Sequence, residues 1–377
     1  MSEIILAKSA PPAYVSRPSV LDRRPGQFPS GNRRQALQPG SRILGTATDG
    51  FKSFTKSFGE DPENIVDRVG VPVQLLDNPS IMLELNSFCA LFEEAARRTR
   101  HSNYGLWFGH QFDPIRLGPI GETIMSAPTV RAAMTNLVEF YLYFQQASTV
   151  RLVREDGLLR LEYKILDGRI LERRQDAELT MGIFANLFWR TIGSNWRLEE
   201  VQFEHPHPEA SKEHEAAFRA PVYFEQRTNA LVFRDHGLDA PMPGADLMRM
   251  VTARQKLLGT FDTVGAVDVL DILTSELMSR LPQGVPKLEE IATGTGIAVA
   301  KFRHGLDYKG LTYTAFVNDL RKRLASRYLG LQYLSMNEVS MLLGFTEASA
   351  FSRACRGWFN ASPRMLRAGI LLSLAKS

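Results

Sequence analysis

Two short helical units, each broken by a glycine turn and continued by a second helix, stand about fifty residues apart near the end of this 377-residue chain. In the later unit every punctuation mark has a mechanical task. Ser335 and Glu338 form an S-x-x-E capping box that starts a short helix, and Leu342 with Leu343 gives its apolar end. Gly344 then allows a left-handed turn that residues with a Cβ resist. Thr346 is placed to cap the next helix, which runs to about Trp358 and turns Phe351, Ala354, Cys355 and Trp358 inward at helical spacing. Its other face carries Ala348, Ser349, Ser352, Arg353 and Arg356. Small residues beside arginines let a helix approach base edges and phosphates, as a recognition helix in a major groove must. Asn360, Ser362 and Pro363 end that helix and open a final one from Leu366 to Leu372.

The earlier unit repeats the plan. Glu290, Ile291, Ala292, Gly296 and Phe302 align with Glu338, Val339, Ser340, Gly344 and Phe351, with one residue of slack after the turn. Lys301, Arg303 and His304 form its exposed face. Between the units Phe316, Val317, Leu320, Leu324 and Tyr328 make one apolar stripe, with Arg321, Lys322, Arg323 and Arg327 largely outside it. A helix of that length spans roughly 30 Å, close to the spacing of successive major grooves, so two readers on one strut could address one face of a duplex. DNA contacts are expected from Lys301, Arg303, His304, Arg321, Ala348, Ser349, Ser352, Arg353 and Arg356.

Residues 283 to 377 resemble the paired helix-turn-helix domain of AraC-type bacterial transcription regulators. The likeness is carried by Leu343-Gly344-Phe345, Phe351-Ser352-Arg353-Ala354-Cys355, Trp358, and the stretch from Ser362-Pro363 to Arg367. Cys355 stands where that family has an aromatic, Asn360 where it has glycine, Ser340 where it has alanine and Thr295 where it has leucine. Thr295 and Gly305 make the first reader look less stable than usual, since a glycine inside a helix costs about 1 kcal/mol. Residues 105 to 141, 173 to 189 and 201 to 233 resemble the effector-sensing domain of one AraC subgroup, named for arabinose binding without implying arabinose here. The resemblance implies a sequence-specific DNA-binding transcription regulator controlled by a small-molecule effector. It further implies an activator rather than a repressor, acting with RNA polymerase on promoter double-stranded DNA in the bacterial cytoplasm, at the nucleoid.

Charge follows the same division. Residues 283 to 377 hold 13 Lys and Arg against 6 Asp and Glu, a net +7, whereas the whole chain is +4 and residues 1 to 282 are therefore −3. A basic C-terminal domain beside a mildly acidic body places phosphate contact on the former. Cys89 and Cys355, the two cysteines, both sit in apolar helical patterns, so neither a disulfide framework nor a thiolate metal site is implied. No segment approaches the ~18 consecutive apolar residues of a membrane span.

Four domains are expected. Residues 1–40, with six prolines and the pairs Arg23-Arg24 and Arg33-Arg34, read as a flexible basic tail without helical or alternating pattern. Residues 41–245 mix helices (Leu85 to Arg100, Thr129 to Gln146) with strands (Val150 to Arg154 and Leu158 to Ile165 as a hairpin around Asp156-Gly157, then Val201 to Glu204 and Ala230 to Phe233), an α/β or α+β effector-sensing domain. A helical connector at 246–282 follows, where Leu257, Leu258, Phe261, Val264, Val267, Leu270, Leu273, Leu277 and Met278 offer apolar surface to the body or, in a homodimer, to a second subunit. Residues 283–377 form an all-α domain of two helix-turn-helix units joined by a long helix.

Catalytic motifs are missing: no P-loop, no G-x-S-x-G elbow, no H-E-x-x-H, so no enzyme, cofactor or metal is expected. His205, His207 and His214, set among prolines and glutamates, read as a surface loop. Arg174, Asp176 and Glu178 read as a buried polar network holding strand to helix, with effector contact as the alternative. The aromatics of the sensing domain fit ordinary core packing; Trp107, Phe140, Tyr143 and Trp189, with Arg174, are the candidate effector contacts, and Arg174 suggests a carboxylate-bearing ligand. An enzyme or receptor domain fused to a DNA-binding appendage, and an architectural DNA binder without ligand control, stand as alternative readings.

Overall fold

The computed structural model describes residues 3–6, 40–78, 81–193, 196–259 and 268–374. The expected basic tail therefore lies almost wholly outside the described residues. Residues 3–6 are an exception to its expected lack of regular structure, because they form a strand. Two hydrophobic cores organise the chain, one gathering side chains from Ile43 to Leu257 and the other from Leu270 to Cys355.

The first core belongs to a mixed α/β domain. Its strands are β1 (Glu3–Leu6), β2 (Arg42–Leu44), β3 (Met82–Glu84), β4 (Ser148–Glu155), β5 (Leu158–Ile165), β6 (Glu200–Gln202), β7 (Val222–Tyr223) and β8 (Asn229–Phe233). Six make one sheet in the order β1-β4-β5-β8-β6-β7, antiparallel except for the parallel pair β6–β7, while β2 and β3 form a separate ribbon. The β4–β5 hairpin turns at Asp156 and Gly157 as the sequence requires. Both have positive φ, 50° and 80°, and that left-handed pair matches the twist of the flanking strands.

The helices of this domain are α1 (Phe51–Ser57), α2 (Pro62–Val69), α3 (Leu85–Thr99), α4 (Tyr104–Gln111), α5 (Pro119–Met125), α6 (Val130–Phe140), α7 (Arg174–Thr191), α8 (Lys212–Phe218) and α9 (Leu247–Leu258). Helix α7 is buried from Gln175 to Phe188, as a helix apolar on nearly every side must be. It meets α4 through glycines. A Cβ on Gly105 would fall 2.2 Å from the Gln175 carbonyl oxygen, and one on Gly109 would fall 2.3 Å from that of Leu179. The backbones therefore touch where any other residue would hold them apart.

The connector divides between the two cores. Leu257 of α9 packs into the sensing domain, whereas Leu270, Leu273 and Leu277 of α10 (Val269–Arg280) belong to the second core. Phe261, Val264 and Val267 lie outside the described residues. The other side of α10 is fastened to the end of β5. Ser275 Oγ donates to the Ile165 carbonyl, Lys164 Nζ pairs with Glu276 at 2.9 Å, and Gly168 gives way to Thr274, whose Cβ lies 2.3 Å from where a Gly168 Cβ would stand.

The C-terminal helices are α11 (Leu288–Thr295), α12 (Val299–Tyr308), α13 (Tyr313–Gly330), α14 (Met336–Leu342), α15 (Ala348–Phe359) and α16 (Pro363–Leu374). The 18 residues of α13 make a strut of about 27 Å, buried along Val317, Leu320, Leu324 and Tyr328. Among the described residues no helix is long and apolar enough to cross a membrane.

Candidate DNA-reading face and effector site

The second reader is built as its sequence demands. The Ser335 N–H donates to Glu338 Oε2 at 2.6 Å and the Glu338 N–H to Ser335 Oγ at 3.2 Å, closing the capping box of α14. Gly344 sits at φ 70° in the turn. Helix α15 starts one residue later than expected, after Glu347, and no side chain caps it, so Thr346 lacks the capping bond assigned to it. Phe351 and Cys355 are buried beneath it, while Ala348, Ser349, Arg353 and Arg356 are exposed and Ser352 is half-buried. Ser349 Oγ donates to Glu347; Arg353 and Arg356 have no ion-pair partner among the described residues. Asn360 ends the helix at φ 53°, a left-handed position that asparagine tolerates better than most residues, which accounts for its standing in for glycine.

Arg321, one of the expected DNA contacts, has a structural task as well: it donates from Nε to the Leu343 carbonyl at 2.8 Å and from Nη2 to the Gly344 carbonyl at 2.7 Å, with its guanidinium 4.3 Å over the Phe345 ring. It clamps the turn of the second reader to α13, and the Leu343-Gly344-Phe345 motif is the seat of that clamp. Arg367 does similar work from α16, donating to the carbonyls of Leu329 in the last turn of α13 and of Leu334 beyond its end.

In the first reader Lys301, Arg303 and His304 are exposed on α12, but Arg303 shares its charge with Glu289 at 3.1 Å. Gly305 has a packing role that the sequence did not reveal. A Cβ there would lie 2.8 Å from Val269 Cγ1 and 3.3 Å from Leu270 Cδ2, so the glycine admits α10 against α12. Gly344 also receives the connector, because a Cβ there would fall 2.5 Å from the Leu281 carbonyl oxygen.

The five candidate effector contacts in the sensing domain are spread over different places. Trp107 donates from Nε1 to Glu213 at 2.6 Å, Phe140 lies under the Arg254 guanidinium at 4.4 Å, and Tyr143 is half-buried beside Phe140. Trp189 stands between His110 and Arg219. Arg174 alone of the five borders the cavity between the two domains, whose volume is about 30 Å3. Arg173, Glu204 and His205 line that cavity from the sensing domain; Met278, Arg327 and Tyr328 close it from α10 and α13. A second, open groove of about 280 Å3 lies by Asp113, Met242 and Arg249, its arginines already paired, Arg190 with Asp113 and Arg249 with Glu122.

The polar network expected at Arg174, Asp176 and Glu178 is present, and it is larger than the sequence suggested. Asp176 accepts from the Tyr163 hydroxyl of β5 at 2.7 Å, so the helix is indeed held to the strand. Burial pushes the Asp176 carboxyl up to about 7, against the pull of Tyr163 and Arg173. Glu178, fully buried, meets Arg174 at 2.7 Å and His214 at 2.9 Å. Burial works to raise its pKa, but Arg174 and His214 prevail and hold the carboxyl down to about 2. Here the surface-loop reading of the histidines fails: His207 is exposed, but His205 and His214 are buried around Glu178. Burial drives His205 down to about 3, so its ring is neutral. Its Nδ1 lies 2.9 Å from the Pro206 carbonyl and must carry the proton, which leaves Nε2 a bare acceptor.

Comparison with known proteins agrees with this division. Residues 59–242 match the arabinose-binding domain of AraC transcription regulators, N-terminal, and residues 291–369 match a helix-turn-helix domain family. The chain is 25% identical over 308 residues to the ornithine utilization regulator of Pseudomonas aeruginosa, covering 81% of this chain and 90% of the relative. It is 24% identical over 336 residues to the HTH-type transcriptional regulator VirS of Mycobacterium tuberculosis, covering 88% and 98%. The crystal structure of the transcriptional regulator CdpR from Pseudomonas aeruginosa aligns over 84% of this chain and 98% of that one at 16% identity, with a TM-score of 0.39. With an exposed, arginine-bearing recognition helix on a basic domain and a sensing domain fastened to it, the chain belongs to the AraC family of DNA-binding transcription regulators, carrying an arabinose-binding-like effector domain at its N-terminal side and a paired helix-turn-helix domain at its C-terminal side.

Proposed function

We propose that this regulator activates promoters in response to a small molecule held by its N-terminal domain, reading promoter DNA chiefly through α15 and secondarily through α12. The observation that carries the reading is the exposed face of α15, where Arg353 and Arg356 stand beside Ala348, Ser349 and Ser352 above a turn locked by Arg321. Lys301, Arg303 and His304 supply the second set of contacts. Activation through RNA polymerase, in the cytoplasm, is supported by family membership and by the relative from Rhodococcus named transcriptional activator NphR, 28% identical over 140 residues. Likeness to a regulator of ornithine utilization makes amino acids and amines the first effectors to try. The test is to map bound promoter sites with and without such compounds. Compound-dependent occupancy with a rise in transcript supports the reading, and occupancy indifferent to every compound refutes ligand control.

A further inference from the structure

We propose that the cavity between the two domains is an α-amino acid site, in which Arg327 of the DNA-binding domain and Arg173 of the sensing domain take the carboxylate and Glu204 and His205 take the ammonium. The proposal rests on the reading of the protein as effector-controlled, and it places the effector where both domains touch it.

Buried polar atoms ordinarily find partners. Ten side-chain nitrogens and oxygens among the described residues have no hydrogen bond, and five of them belong to one neighbourhood: Arg173 Nη2, Glu204 Oε2, Glu178 Oε2, His214 Nδ1 and His205 Nε2, the last 3.5 Å from Glu178 Oε1. Arg173, Glu204 and His205 line the cavity itself, each nine-tenths or more buried at its side chain. Arg173 meets Glu204 only through Nε and Oε1, at 2.8 Å, so one donor and one acceptor of that pair are left over. Arg327 has no hydrogen-bond or ion-pair partner among the described residues, although Glu93 and Tyr333 feel its charge. Arg174, by contrast, is committed to Glu178 and Asn103 and is not the anchor.

The leftover atoms therefore fall into two chemistries. Arg173 Nη2 and the Arg327 guanidinium are donors that call for an anion, and planar guanidinium suits a carboxylate. Glu204 Oε2 and the unprotonated His205 Nε2 are acceptors that call for N–H groups. An α-amino acid presents a carboxylate and an ammonium on one carbon, and Leu171 and Met278 give its side chain an apolar wall. A carboxylate alone leaves the acceptors unmet; an amine alone leaves the guanidiniums unmet.

The volume bears on mechanism. About 30 Å3 admits roughly two water-sized bodies, less than an amino acid needs. Binding therefore requires α13 to move off the sensing domain, and a ligand that favours the parted arrangement shifts the readers by its differential affinity.

The experiment is calorimetric titration of the full-length protein with each of the twenty L-amino acids, and with the matching deaminated carboxylates and decarboxylated amines. At least one amino acid should bind, at least tenfold tighter than either of its one-ended analogues. Arg327→Gln should weaken it by about tenfold to a hundredfold, the scale of a lost charged hydrogen bond, and Arg327→Lys should recover part of that. Glu204→Gln should narrow the gap between the amino acid and its deaminated analogue. DNA binding by each variant without ligand checks its fold. An amino acid that binds unaffected by Arg327→Gln overturns the site. If no amino acid binds but another compound changes promoter occupancy, the proposal fails while effector control stands; if nothing changes occupancy, effector control fails with it.

Discussion

Replacing Gly305 by alanine sets two effects of similar size against each other, and the structure decides the sign. In an isolated helix the change stabilises by about 1 kcal/mol. Here the new methyl would lie 2.8 Å from Val269 Cγ1 and 3.3 Å from Leu270 Cδ2, where carbons prefer about 3.5 to 4.0 Å. Helix α10 must then retreat by roughly 1 Å, although it is fastened on its far side by Ser275 and the Lys164–Glu276 pair. Overpacking of this kind costs about 1 to 3 kcal/mol, so Gly305→Ala should be net destabilising by up to about 2 kcal/mol. In a Val269→Ala background the closest clash is gone and only the milder 3.3 Å approach of Leu270 remains, so the same substitution should stabilise by up to about 1 kcal/mol, a coupling of about 1 to 3 kcal/mol across the pair. Thermal unfolding of the four proteins, followed through Trp358 fluorescence with Trp107, Trp189 and Trp196 replaced by phenylalanine in all four, reads the cycle. A domain of this size shifts by about 4 to 8 °C per kcal/mol. A rise in the transition temperature for Gly305→Ala with Val269 intact would refute the packing argument.

Other expectations follow from the same geometry. Arg353→Ala should weaken binding to a cognate duplex by about 1 to 3 kcal/mol and to a scrambled one much less, while Arg303→Ala, already shared with Glu289, should lose less; equal losses on both duplexes would make Arg353 a backbone anchor. Log affinity for DNA should fall linearly with log salt at about −0.9 per phosphate contacted, and a flat response would contradict the +7 reading of residues 283 to 377. Asp176, raised in the fold to about 7, contributes stability that is fully present below its unfolded value near 4 and lost as pH rises through 7. Relative to Asp176→Asn the parent should thus lose up to about 4 kcal/mol between pH 4 and 8 in urea titrations, and a pH-independent difference would contradict the assignment. Gly109→Ala, whose Cβ meets a backbone carbonyl at 2.3 Å, should destabilise the sensing domain by about 3 kcal/mol or more; near-neutral unfolding by circular dichroism would show that α4 and α7 can part cheaply.

What the sequence revealed was local. The capping box of Ser335 and Glu338, the glycine turns and the Asp156-Gly157 hairpin are each decided within a few residues, so the chain announces them. Strands β2, β3 and β7 span only two or three residues, too short to show alternation. His205 and His214 were misplaced because prolines and glutamates around them have the composition of a surface, while the carboxylate that justifies their burial, Glu178, lies 27 and 36 residues away. Arg321 looked free for the same reason, since its acceptors are carbonyls more than twenty residues on. Gly305 looked like a defect of helix propensity, and only the arrival of α10 turns it into a contact.

The connector touches both readers, at Gly305 through Val269 and at Gly344 through the Leu281 carbonyl, and those two contacts are eleven to twelve positions apart on one short stretch of chain. A strain arriving from the sensing domain along α10 therefore cannot reach one recognition helix and spare the other. If both helices read operator as proposed, they are coupled as a yoked pair, and the interval between the two stretches they address should stay constant while their common grip strengthens or slackens. Regulation of this kind changes how long a promoter is held and leaves unchanged which promoters are eligible.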